Sequence, residues 1–123
     1  ECLSRGAVQV IFIENYKQVL LILKKNLSNL KSIDNYSIIE KNAYDKETFN
    51  NLKNIFNIIF LDPPYKDKNL NIILKNIESQ NILHKNGIII VHRHKNSKDI
   101  FPSNFKIIEE KRYGISKIIF LKL

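Results

Sequence analysis

The sequence predicts an α/β fold in which a mostly parallel sheet is covered by helices and closes with a C-terminal antiparallel hairpin. Three observations support this. Short apolar runs alternate with segments of helical periodicity, the order typical of parallel strands joined by crossover helices. The runs are almost continuously apolar, as expected of strands buried on both faces. The last two runs flank Tyr113-Gly114, which indicates a hairpin turn.

The first half of the chain predicts two strands and two helices. Asn15 is expected to cap the first helix. The apolar stripe of that helix consists of Val19, Leu20, Leu23, Leu27 and Leu30. The predicted elements are a strand at 8–14, a helix at 16–30, a polar turn at 32–35, a strand at 36–40 and a short polar helix at 45–54.

The second half predicts a further helix between two strands, and then the hairpin. The helix presents Leu70, Ile73, Leu74 and Ile77 on one side. No repeat or linker interrupts the chain, so residues 1–123 are expected to form a single domain. The predicted elements are a strand at 55–61, a helix at 68–78, a turn at Asn86-Gly87, a strand at 87–92 and hairpin strands at 105–112 and 115–121.

Composition narrows the class of protein. The 123 residues carry a net charge of +8, which favours a polyanionic partner such as nucleic acid, although the Ile-, Lys- and Asn-rich bias of an AT-rich genome would also raise the charge. Cys2 is the only cysteine, so an internal disulfide framework is excluded, which fits a reducing cytoplasm. No apolar run approaches the roughly 18 residues of a membrane span. The chain begins at Glu1 and contains no methionine, so we interpret it as a fragment.

Three features lie at the carboxyl ends of predicted strands. They are Glu14, the pair Asn42-Ala43, and the tetrapeptide Asp62-Pro63-Pro64-Tyr65. In open α/β sheets, ligands bind at the carboxyl ends of the strands, so these residues are expected to converge on one edge of the sheet.

The tetrapeptide carries the most specific chemistry. Two consecutive prolines fix the backbone and lack N–H groups, so both carbonyls are expected to remain unpaired acceptors on a stiff loop. Asp62 and the Pro63 carbonyl can hold an amino group, and the Tyr65 ring can stack on a base. The alternative is that the prolines only terminate the strand.

The tetrapeptide resembles the [D/N/S]-P-P-[Y/F/W] motif of amino-group methyltransferases that act on nucleic acids. Nearly the whole chain resembles the RsmD family of bacterial 16S rRNA guanine-N2 methyltransferases. The opening residues 1–7, ECLSRGA, are similar to that family's E-A-L-S-R-G-A segment. Glu14, Asn42-Ala43, the tetrapeptide and Tyr113-Gly114 are similar to its later landmarks.

The resemblance implies a Rossmann-like methyltransferase fold that uses S-adenosyl-L-methionine to methylate a guanine N2 amine of 16S rRNA, at guanine 966. By the same resemblance, Glu14 would bind the cofactor's ribose hydroxyls, and Asn42 with Ala43 would contact its adenine. Asp62, Pro63, Pro64 and Tyr65 would form the catalytic loop, in which Asp62 binds the amine and Tyr65 stacks on the base.

The chain departs from the family pattern in two places. The family's glycine-rich loop, D-x-F-A-G-S-G, and its first strand have no counterpart in residues 1–123, so we expect poor cofactor binding by this chain alone. The family often carries an acid at the end of strand four, whereas this chain has the basic cluster His92, Arg93, His94 and Lys95. That cluster would either contact phosphate or form a solvated loop. Lys66, Lys68 and Lys75 could face an RNA backbone or only solvent.

The expected partner is 16S rRNA or the small ribosomal subunit, and the expected state is a cytoplasmic monomer without a metal or membrane anchor. The three histidines lack the spacing of a metal site. One alternative is a DNA adenine-N6 methyltransferase, against which the opening ECLSRGA argues. The other is a non-catalytic, RNA-binding remnant, which the lack of the glycine-rich loop favours.

Overall fold

The structure is a computed structural model that describes all residues from Glu1 to Leu123. The chain divides into two compact units, Glu1–Thr48 and Phe49–Leu123. That the whole chain forms a single domain stays a prediction. Neither α-helix has the length and apolar character needed to cross a membrane.

The first unit contains one parallel strand pair. Its strands β1 and β2 pair in register along their full length, and helix α1 connects them, as predicted for a crossover unit. The elements are β1 (Val10–Ile13), α1 (Lys17–Ser28), β2 (Tyr36–Ile39) and a 3-10 turn (Lys46–Thr48).

Helix α1 buries a narrower stripe than the sequence predicts. Leu20 and Leu27 are buried, whereas Val19 and Leu30 are exposed. The expectation that Asn15 caps this helix is wrong. The N-cap is Tyr16, and no side chain caps the helix there.

The predicted helix at 45–54 is wrong, because only the 3-10 turn Lys46–Thr48 forms. Local side-chain bonds compete with helix formation in this segment. The Tyr44 backbone N–H donates to Oδ1 of Asn42, and Oγ1 of Thr48 donates to the Asn42 carbonyl over 2.6 Å. These bonds fold the chain into a tight turn around Asn42.

The second unit is a mixed sheet with the strand order β3-β4-β6-β5. Strands β3 and β4 are parallel, and the pairs β4–β6 and β5–β6 are antiparallel. The predicted closing hairpin is confirmed, and β5 forms the antiparallel edge. The elements are β3 (Phe56–Leu61), α2 (Leu70–Ser79), β4 (Leu83–His94), β5 (Lys106–Tyr113) and β6 (Ser116–Lys122).

Helix α2 provides the core of the second unit. The predicted stripe is confirmed, since all four of its apolar residues are buried. Strands β4 and β6 each add two fully buried residues with side chains on alternate positions. These residues are Ile89, Val91, Ile119 and Leu121.

The turn expected at Asn86-Gly87 is wrong, because both residues lie inside β4. Phe56 of β3 pairs with Leu83, but Ile58 pairs with Ile88, so β4 carries extra residues between these pairs. A bulge of this kind accommodates the turn-favouring residues Asn86 and Gly87 without ending the strand.

Candidate active site

The tetrapeptide directly follows β3 and presents its functional groups to solvent. Pro63 is buried and anchors the loop, whereas Pro64 is exposed. The Asp62 side chain is 58% exposed and Tyr65 is 48% exposed. The carboxylate and the ring are therefore accessible to a ligand.

Asp62 is paired with His92 at the end of β4. The distance from Nδ1 of His92 to Oδ1 of Asp62 is 2.8 Å. The two residues meet because β3 and β4 are parallel neighbours in which Leu61 pairs with Val91. An ionised carboxylate only accepts hydrogen bonds, so Nδ1 of His92 is the donor.

Tyr65 lies against two histidines on the same face of β4. Its ring centroid is 5.9 Å from that of His92 and 5.8 Å from that of His94, with edge-to-face angles of 80° and 63°. Contacts of this kind orient an aromatic ring. The part of the ring that stays exposed can accept a stacked base.

Arg93 does not contact solvent, so the expectation that it meets phosphate is wrong. It is 2% exposed, and its Nε and Nη2 atoms lie 2.9 and 2.8 Å from Oδ1 of the buried Asp99. Its Nη1 donates to the Pro64 carbonyl over 3.0 Å, and its Nη2 donates to the Asp67 carbonyl. The guanidinium therefore joins the loop that carries the tetrapeptide to the buried carboxylate.

The two proline carbonyls differ, which corrects the expectation that both are unpaired. The Pro64 carbonyl accepts bonds from Arg93 and from the Asp67 backbone N–H, the latter over 2.9 Å. No hydrogen bond falls on the Pro63 carbonyl. Of the two, only the Pro63 carbonyl remains as an acceptor for a ligand.

A buried polar network supports this clamp. Oγ of Ser97 donates to the second oxygen of Asp99 over 2.7 Å, and Nζ of Lys117 donates to the Ser97 carbonyl over 2.7 Å. Arg93 and Lys117 are cross-strand partners on the buried face. No buried side-chain nitrogen or oxygen lacks a partner. The network therefore holds two buried cations without leaving an unpaired group.

Glu14, the predicted cofactor ligand of the first unit, follows β1. Its Oε1 accepts bonds from the backbone N–H groups of Asn15 and Tyr16 over 2.9 and 2.8 Å. The Glu14 backbone N–H donates to the Ile39 carbonyl, which continues the strand pairing by one residue. Both side-chain bonds fall on Oε1, so Oε2 is left as an acceptor.

Asn42 and Ala43 are half-buried residues just after β2. Oδ1 of Asn42 is occupied by the Tyr44 N–H, so its Nδ2 group is the part that can donate to a ligand. Asn42 borders a cavity of about 360 Å³, whereas Ala43 does not. Three acids on this cavity favour ligands with hydroxyl or amino donors over phosphates. The lining residues are Asn15, Glu40, Lys41, Asn42, Asp45, Glu47 and Thr48.

The structure brings the predicted site residues together in two groups. The second unit joins Asp62 and Tyr65 through His92, and the first unit places Glu14 and Asn42 after neighbouring strands. That the two groups meet at one edge of a sheet stays a prediction. Sequence reasoning did not assign Arg93 its place in the core. Residue 93 continues the alternating burial of Gly87, Ile89 and Val91, but residues 88–91 are all apolar, so the sequence gives no signal of which face is buried.

A family model described as conserved hypothetical protein 95, which represents the RsmD proteins, matches residues 1–122. The chain belongs to this family. The resemblance found in the sequence is thereby confirmed.

Individual relatives agree with this assignment. The chain is 34% identical to ribosomal RNA small subunit methyltransferase D of Haemophilus influenzae over 116 residues, which cover 94% of this chain and 60% of that protein. A solved H. influenzae structure, provisionally named a methylase, has a TM-score of 0.79 and 31% identity and covers 97% of this chain and 74% of its own. A solved Escherichia coli structure, provisionally named a methyltransferase, has a TM-score of 0.81 and 28% identity, with 98% and 67% covered.

These similarities confirm that the fold is of the Rossmann-like methyltransferase type. The chain spans about 60% of the length of the curated relatives that it matches most strongly.

Proposed function

We propose that the protein is an S-adenosylmethionine-dependent methyltransferase that methylates the N2 amine of a guanine in 16S rRNA, with guanine 966 as the nucleotide that the family resemblance indicates. One observation carries the proposal. The exposed Asp62 carboxylate lies with the exposed Tyr65 ring on a loop that the buried Arg93 clamps.

The residues of the first unit fit the adenosine part of the cofactor. Oε2 of Glu14 can accept from ribose hydroxyls, and Nδ2 of Asn42 can donate to a ring nitrogen of adenine, with Ala43 beside it. When bound, S-adenosylmethionine supplies an electrophilic methyl group. Glu14, Asn42 and Ala43 are therefore the proposed cofactor-binding residues.

The catalytic loop orients the amine and accepts its proton. The guanine N2 amine donates to Asp62 and the Pro63 carbonyl, and Tyr65 stacks on the base. S-adenosylmethionine would supply the methyl group to the lone pair of this nitrogen, and the electron pair of the broken methyl–sulfur bond would remain on sulfur. Asp62 takes the released proton. Because the clamped loop is already ordered, little entropy is lost on binding.

The identity of the substrate rests on the relatives and on charge. The matched H. influenzae relative is named a methyltransferase of small-subunit ribosomal RNA. The net charge of +8 suits a polyanion, and lysines are exposed just after the tetrapeptide, at 66 and 68, and on α2, at 75. We therefore propose 16S rRNA or the small subunit as the partner of a monomer that acts in the cytoplasm.

The test replaces Asp62 by Ala in the full protein and measures the transfer of a radiolabelled methyl group to 16S rRNA, assembled small subunits and DNA. The variant should lose about a hundredfold or more of its activity, because it lacks the carboxylate that holds and deprotonates the amine. Calorimetric binding of S-adenosylhomocysteine should be unchanged. Asp34→Ala is the matched control, because Asp34 is an exposed acid in the loop before β2.

Three outcomes would contradict the proposal. Undiminished methylation by Asp62→Ala would remove Asp62 from the mechanism. Label in DNA alone would favour an adenine-N6 methyltransferase. Wild-type protein that neither transfers label nor binds S-adenosylhomocysteine would be a non-catalytic, RNA-binding protein.

A further inference from the structure

His92 contacts both functional groups of the catalytic loop. Its Nδ1 lies 2.8 Å from Oδ1 of Asp62, and its ring meets the Tyr65 ring edge to face. The His92 side chain is 22% exposed, against 58% for Asp62, so the imidazole supports the carboxylate from the protein side.

The hydrogen bond from His92 makes the two carboxylate oxygens of Asp62 inequivalent. Oδ1 is occupied by Nδ1–H, and no protein donor contacts Oδ2. The neighbouring Arg93 does not compete, because its guanidinium is held on the opposite, buried face by Asp99. The oxygen available to a ligand is therefore defined by His92.

We propose that His92 is a positioning residue for the acceptor amine. It holds Oδ1 of Asp62 and the edge of Tyr65, so that Oδ2 and the open part of the Tyr65 ring are presented together to one nucleobase. The inference rests on the proposed methyl transfer and assigns to His92 a role in that same site.

Two amide substitutions separate these roles. The Asn side chain places its NH2 group close to where Nδ1 lies, whereas the Gln side chain reaches to the position of Nε2. His92→Asn should therefore keep most of the methyl-transfer rate. His92→Gln and His92→Phe should lower kcat by about tenfold to a hundredfold, as expected for the loss of a hydrogen bond to a charged group, with KM for rRNA nearly unchanged. His84→Asn is the control, because His84 lies at the other end of β4.

A second measurement does not depend on activity. Nitrogen chemical shifts of the imidazole in the wild-type protein should show the Nδ1–H tautomer for His92, and Asp62→Ala should abolish this preference. An Nε2–H tautomer in the wild type, or equal kcat values for the Asn and Gln variants, would overturn the positioning role. Wild-type protein with the Nδ1–H tautomer but no methyl transfer would instead contradict the proposed function.

Discussion

The two groups of candidate residues are held in different ways. In the second unit, His92 reaches Asp62 across 30 residues of sequence, and Arg93 reaches the Pro64 and Asp67 carbonyls across 29 and 26. In the first unit, Glu14 and Asn42 bond through their side chains only to residues one or two positions ahead. The candidate residues of the second unit are thus held by tertiary contacts, and those of the first unit are held by local turns.

The distribution of the core follows the same division. Of the buried apolar residues, only Leu20 and Leu27 belong to Glu1–Thr48, and the remaining eleven belong to Phe49–Leu123. Because burial of apolar surface is the main favourable term in folding, the second unit should be the more stable one. Substitutions that remove long-range contacts there should have the largest effects.

The largest effect is expected for Arg93→Ala. The substitution leaves the buried Asp99 carboxylate without its cation and frees the loop that carries the tetrapeptide. Removing one partner of a buried ion pair costs about 3–5 kcal/mol, so the free energy of unfolding in urea should fall by that amount. The matched control is Arg112→Ala, which breaks an exposed pair with Glu110 and should change stability by less than about 1 kcal/mol.

The same two variants also test whether the long-range contacts of Arg93 stabilise the protein. If Arg93→Ala and Arg112→Ala lower stability equally, the buried contacts of Arg93 do not anchor the loop, and they stabilise the second unit no more than an exposed ion pair does.

An intermediate effect is expected for Gly87→Ala in the irregular part of β4. An added Cβ atom would lie 2.7 Å from Cδ1 of Leu83 and 2.8 Å from the His84 carbonyl oxygen. The side chain can move, but the backbone oxygen belongs to a paired strand, so we expect a cost of about 1–3 kcal/mol. The exposed neighbour Asn86→Ala serves as the control in the same urea measurement. Equal stability of the two variants would show that the bulge accommodates the added Cβ atom without strain.

The sequence predicted the elements whose signals are local and strong. The predicted buried face of α2 is confirmed because four apolar residues recur at helical spacing. The predicted hairpin is confirmed because Tyr113-Gly114 separates two β-rich runs. The predicted helix at 45–54 is wrong because the side chains of Asn42 and Thr48 bond to the backbone and fold the segment into a turn.

The sequence identifies the motif of the candidate site but not the residues that hold the motif in place. Asp62 and Tyr65 stood out by residue type and by their place after a strand. The pairing of Arg93 with Asp99, and of both with the loop, depends on the order of β3, β4 and β6, which no short segment encodes. Residues 88–91 are all apolar, so the sequence indicates neither the face on which Arg93 lies nor its partner.

The smallest effect is expected for Glu14→Ala in the first unit. The substitution removes the acceptor of the Asn15 and Tyr16 backbone N–H groups ahead of α1, but both groups are exposed and can bond to water instead. We expect a loss of about 1 kcal/mol or less in the urea measurement, and faster hydrogen exchange at these two amides only. Glu14→Gln retains one acceptor oxygen and should restore the slow exchange. Exchange that quickened throughout Glu1–Thr48 would mean that Glu14 is held by more than its local turn, and the contrast between the two groups of residues would no longer stand.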